Sequence, residues 1–161
     1  MKITELIAQH LLEVHEGNNW TEVDVTQTLG DVTMEEATYQ TIASPNSLAA
    51  LLHHLTFWNR VIVKRINGIR VEEVPDNGYS VPELLEEADW QQLKADNIQS
   101  AHELAAAIRQ FNIDALEQPI LPEHSTAYRN LQGSVEHVHY HLGQMVILKK
   151  LIRAKQKKDA G

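Results

Sequence analysis

The chain has 161 residues and not one of them is cysteine. That absence excludes disulfides, thiolate metal ligands and a cysteine nucleophile, and a small secreted domain would more often carry bridges. Long apolar runs are also missing. None approaches the ~20 residues that a membrane span needs, so no membrane partner is expected. Positive charge is in short supply, with 14 Lys and Arg against 22 Asp and Glu and a formal net charge of −8. A surface of that sign argues against nucleic acid, because phosphate binding needs a basic face. The opening residues, Met1-Lys2-Ile3-Thr4-Glu5, run straight into an amphipathic pattern with acidic members. They lack the apolar centre of a signal peptide, and the expected location is the cytoplasm. Strand patterns are weak throughout, and there is no internal repeat and no low-complexity segment.

What the chain does have is helical periodicity. Its apolar share of 43% and charged share of 22% are ordinary for a globular protein, and its length suits one domain over residues 1–161. A first long helix is predicted over about 2–16, where Ile3, Leu6, Ile7, His10, Leu11 and Val14 recur at helical spacing. Gly17-Asn18-Asn19 closes it, and His15 falls in the last turn, where a cation complements the helix dipole. Val23–Leu29 reads as a short strand or a single helical turn. Thr33-Met34-Glu35-Glu36 has the form of a capping box and opens another short helix. A second long helix is predicted over about 46–67. Ser47 or Asn46 caps it, and Leu48, Leu51, Leu52, Leu55, Trp58, Val61, Ile62 and Ile66 form its stripe.

Pro75-Asp76-Asn77-Gly78 is turn chemistry, and Val81-Pro82-Glu83 suits the start of a further short helix. The third long helix, about 89–117, is expected to begin on Asp89 as its cap and to bury Trp90, Leu93, Ile98, Ala101, Leu104, Ala105, Ile108 and Phe111. His102 lies off that stripe and reads as surface. A loop with Pro119 and Pro122 follows. The fourth long helix, about 128–154, buries Leu131, Val135, Val138, Leu142, Met145 and Leu148 or Lys149. Its tail from Lys149 to Lys158 carries six basic residues and reads as a solvated helix end whose cations complement the dipole. Four long amphipathic helices with long connections make an all-α four-helix bundle the natural fold.

The histidines carry the chemistry. Three of the nine fall in Glu136-His137-Val138-His139-Tyr140-His141-Leu142-Gly143-Gln144. His137 and His141 are four apart, hence one turn apart on one helical face, while His139 points away. Two imidazoles so placed can converge on one transition-metal ion. A bundle builds sites between facing helices, and the second long helix offers a third imidazole from His54 or His53. Three histidines leave at least one coordination position for water or substrate. The metals that suit imidazole are zinc first, then nickel, iron or copper. Gln144 shares the stripe of His137 and His141 and is placed to orient a ligand ring. Glu136 and Tyr140 are turned away by about 100°.

Taken together, Ser47-Leu48-Ala49-Ala50-Leu51-Leu52-His53-His54-Leu55-Thr56-Phe57-Trp58 and His137-Val138-His139-Tyr140-His141-Leu142-Gly143-Gln144 resemble the DinB-like (DinB/YfiT) four-helix-bundle superfamily. The order of helices agrees over nearly the whole chain. The resemblance implies metal ligands at His54, a better match than His53, and at His137 and His141. It also implies a metal-dependent protein of thiol S-transferase or hydrolase type. There the metal activates a low-molecular-weight thiol or a water against a small-molecule substrate, and the protein is often a homodimer. Where the family usually has Arg before its Gly-Gln, this chain has Leu142. The residues name no catalytic group beyond the metal itself, and the alternative is a non-catalytic metal-binding or stress-associated helical protein.

Overall fold

The computed structural model describes residues 2–72 and 74–159. The chain is all-α: α1 (Ile3–Glu16), α2 (Val25–Leu29), α3 (Met34–Thr38), α4 (Leu48–Ile66), α5 (Glu87–Gln110) and α6 (Ala127–Asp159), with a 3-10 turn at Ile113–Ala115. The four long helices form a closed ring. α4 packs on α5, α5 on α1, α1 on α6 and α6 on α4. α4 and α6, the two helices that carry the histidine motifs, are therefore neighbours. Among the described residues no helix is long and apolar enough to cross a membrane.

Each long helix buries one stripe. In α6, Leu131, Val135, Val138, Leu142, Met145, Leu148 and Ile152 are all buried, the pattern of a helix with a single core-facing side. In α4 the stripe is Leu48, Leu51, Leu52, Leu55, Val61 and Ile62, and Ser47 caps the helix by accepting from the N–H of Ala50. The Val23–Leu29 stretch resolves as a helical turn, because Asp24 accepts from the N–H of Gln27. The capping box of Thr33 and Glu36 forms as expected.

Several expectations are corrected. In α1 only Ile7, Leu11 and Val14 of the predicted stripe are buried, while Ile3 and Leu6 face solvent in the first turn, before the helix is enclosed by its neighbours. His15 is not a solvated terminal cation. It is completely buried, with Nδ1 2.9 Å from the carbonyl oxygen of Leu11, and burial lowers its pKa. No helix forms at Val81–Glu83. The helix that follows starts at Glu87, and Asp89 serves it from inside, accepting from the N–H groups of Leu85 and Glu86. That helix ends at Gln110, short of the predicted 117. The basic end of α6 is tied down as well: Lys149 pairs with Asp31, and Arg153 with both Asp31 and Glu36.

Trp90 is the largest fully buried side chain, and its indole N–H donates to the carbonyl of Val32 at 2.8 Å. It thereby fixes the α2–α3 segment to α5. Trp90→Ala is expected to cost about 3–5 kcal/mol. Trp90→Phe, which mainly orphans the Val32 carbonyl, is expected to cost about 1–3 kcal/mol. Urea unfolding curves at constant slope read both values.

Candidate metal centre

α4 brings His54 to the seam with α6, and α6 presents His137 and His141 one turn apart. His54 and His141 are buried, at 2% and 4% exposure, and His137 is half-buried beside the opening. The three Nε2 atoms converge. His54 Nε2 lies 2.9 Å from His137 Nε2, and His141 Nε2 lies 3.0 Å from the same atom. Among the described residues these three form the one His, Asp and Glu group compact enough to hold a metal ion.

The far sides of two rings are anchored. His54 Nδ1 is 2.6 Å from the backbone carbonyl oxygen of Asn77, and His141 Nδ1 is 2.7 Å from Gln144 Oε1. Both partners are acceptors, so each Nδ1 carries the ring proton and donates it. In the neutral rings each Nε2 is then a bare lone pair. His137 has at most one proton to offer from Nε2, yet it faces two lone pairs. At least one of the two short contacts must therefore set lone pair against lone pair. Protonating the rings would relieve this but is opposed. Desolvation, seconded by the neighbouring histidines, lowers the pKa of His137 to about 3. Desolvation also lowers that of His54 to about 4, and that of His141 falls for the same main reason.

A divalent cation satisfies all three lone pairs together. Two imidazole nitrogens bound at about 2.0–2.1 Å to one ion stand no more than about 4.2 Å apart; the two Nε2 spacings to His137 fall inside that limit, and all three ligand atoms lie within 4.8 Å of one another. The donor set fits a transition metal.

His53 is not part of the group: its Nδ1 turns to the carbonyl oxygen of Gly78 at 2.8 Å. His139 points to α1, with Nε2 3.4 Å from His10 Nε2. Neither His10 nor Glu13, which bonds Gln9, reaches the centre. His102 is exposed and paired with Glu16, and Glu136 is exposed. Gln144 does orient His141, as its place on the stripe predicted.

The supports that sequence reasoning missed come from the turn at 75–79. Asn77 has a left-handed backbone, φ 53°, and Gly78 follows at φ 78°. A Cβ at Gly78 would stand 2.6 Å from the Phe57 ring, so glycine lets the turn lie directly on α4. The turn then aims two successive carbonyls at His54 and His53. It also lays the Tyr79 ring flat on His54, with centroids 4.0 Å apart and planes 1° from parallel. The Pro-Asp-Asn-Gly chemistry signalled a turn, but nothing local signalled where it docks.

Beside His54 and His137 opens a cleft of about 310 Å³ between α4 and α6, walled by Trp58, Asn59, Ile62, Asn130 and Ser134. A larger cavity, about 580 Å³, lies between α2 and the C-terminal part of α6 and touches none of the three histidines.

The fold and this centre define a class: an α-helical bundle with a cross-helix group of three histidines open to a cleft. The family model of the DinB superfamily matches residues 19–145, most of the chain and all three histidines, and the chain belongs to that superfamily. No curated protein and no solved structure gives a match.

The shifted histidines make a pH prediction for the metal-free protein. Their folded pKa values lie below the ordinary value of 6.5, so the unfolded chain binds more protons between them. Stability contributed by the neutral rings is full above about pH 6.5 and falls as pH drops toward 4. His54 and His137 alone are expected to add about two protons to the uptake on unfolding in that window. The slope of unfolding free energy against pH measures this, and His54→Ala/His137→Ala flattens it.

Proposed function

We propose that this protein is a metal-dependent enzyme of thiol S-transferase or hydrolase type, with one divalent transition-metal ion held by His54, His137 and His141. Zinc is the first choice, with nickel or iron as alternatives that imidazole also suits. One observation carries the reading. Three imidazole nitrogens lie together with too few protons to satisfy their contacts, inside a family-matched bundle. Bound there, the ion supplies Lewis acidity that favours the conjugate base of a thiol or of water.

The chain's own residues do the rest. Asn77 and Gln144 hold two rings in the tautomer that offers Nε2, as outer partners of ligating histidines commonly do. Tyr79 covers one face of His54, and Trp58, whose ring edge lies near both His54 and His137, walls the centre on the cleft side. Both limit the water that reaches it. The cleft gives a small molecule access to His54 and His137.

A second reading is a non-catalytic centre that merely fixes α4 to α6. Closed structural sites complete four ligands from protein. Among the described residues no fourth His, Asp or Glu joins the three, and a cleft adjoins them. Both facts favour the enzyme.

Elemental analysis of untagged protein tests the site. About one transition-metal ion per chain is expected, lost in His54→Ala and in His141→Ala. Gln144→Leu should keep the fold and weaken metal affinity by about 10–100-fold. A wild-type protein that takes up neither zinc nor nickel would contradict the reading.

A further inference from the structure

The cleft beside the histidines has polar features that metal binding alone does not require. Asn59 of α4 is 3% exposed. Its amide Nδ2 donates to Ser100 Oγ at 3.0 Å. Ser100 in turn spends its hydroxyl proton on the carbonyl of Asn97 at 2.7 Å, so towards Asn59 it can only accept. The Asn59 amide is thereby locked in one orientation. Its Oδ1 has no partner among the described residues, yet it is not sealed from solvent, and Asn59 lines the cleft. A hydrogen-bond acceptor is held there ready for a donor.

Gly133 sits in the second turn of α6, inside the helix, where glycine costs stability relative to alanine. Packing does not demand it, since an added Cβ would meet nothing within 4 Å. It lies four residues before His137 and four after Arg129, so all three share one face of the helix, with Arg129 about 12 Å from His137 along the axis. What glycine leaves open here is the floor of the cleft.

Charge completes the pattern. The chain carries a net charge of −8, yet no carboxylate lines this cleft and Arg129 does. Arg129 is exposed and has no ion pair among the described residues. Behind the wall, Arg65 lies 5.3 Å over the Trp58 ring and donates to Asn130 Oδ1 at 3.1 Å. It too lacks a carboxylate partner, and both guanidinium groups bias the cleft toward anions.

We infer that the cleft selects a small carboxylate-bearing molecule with an N–H or O–H donor between the carboxylate and the end that reaches the histidines. Arg129 reads the carboxylate, Asn59 reads the donor, and Gly133 leaves room for the body. The inference rests on the reading of the three histidines as a metal centre that receives a thiol, and it narrows that thiol to one bearing a carboxylate and a hydrogen-bond donor, for which N-acetylcysteine serves as the probe.

Calorimetric titration of the zinc-loaded full chain tests this with three probes: N-acetylcysteine, its carboxamide (which lacks the negative charge) and N-acetylserine (which lacks the thiol). Zinc content is measured on every sample. N-acetylcysteine is expected to bind about tenfold tighter than its carboxamide, as for a charge-assisted hydrogen bond. Arg129→Gln should erase that difference without changing the affinity of the carboxamide. Gly133→Leu should retain zinc and lose binding of every probe. If N-acetylserine binds as tightly as N-acetylcysteine and both depend on Arg129, the anion selectivity stands and the thiol reading fails. Equal affinity for N-acetylcysteine and its carboxamide, an Arg129→Gln variant that keeps the difference, or no binding by a wild type that holds zinc would each overturn the inference.

Discussion

The site depends on where two protons are held. The Asn77 carbonyl and Gln144 Oε1 each accept from an imidazole Nδ1, and that choice leaves the opposite nitrogens of His54 and His141 as lone pairs aimed at His137. Without these acceptors the rings could trade tautomers and pair with one another as ordinary hydrogen-bonded histidines. With them, the group is short of protons, and burial makes added protons costly. A cation is the one addition that satisfies all three Nε2 atoms at once.

The rest of the bundle serves that arrangement. The α4–α6 seam sets the separation of the ligands, and its core residues Leu51, Leu55, Val138 and Leu142 are all buried around it. Beside that seam, Thr56, Asn59, Asn97 and Ser100 form a buried polar ladder from α4 to α5. A ladder with such direction fixes the rotation of α4 more firmly than apolar contact alone, and so it fixes which of two adjacent histidines faces α6. His54 turns to the seam while His53 is held by Gly78 at the rim. The turn that anchors both rings lies flat on α4 because Gly78 has no side chain to strike Phe57.

Much of this was legible in the sequence because it is periodic. The buried stripe of α6 follows helical spacing residue for residue, and the pairing of His137 with His141 needs only a 3.6-residue repeat. Ser47 and the Thr33–Glu36 box are local capping signals, and they hold. What escaped is what depends on partners far along the chain. Ile3 and Leu6 match the period of α1 but lie exposed in its first turn. His15 reads as a terminal cation until α1 is packed and the ring is enclosed. The Val81–Glu83 stretch has a helix-starting proline but no helix after it, because Asp89 accepts from the Leu85 and Glu86 amides and starts α5 there. Residues 75–78 were legible as a turn and not as the support of a site. No local pattern tells a chain which helix a loop will cover.

The most direct test is long-range proton–nitrogen NMR of the histidine rings, recorded on metal-free protein near pH 7 and again as zinc is added. The account predicts the Nδ1–H tautomer for His54 and His141 before zinc, and a shift of the Nε2 signals of His54, His137 and His141 that saturates at one equivalent. Nε2–H tautomers at His54 and His141, or three Nε2 signals unmoved by zinc, would contradict it.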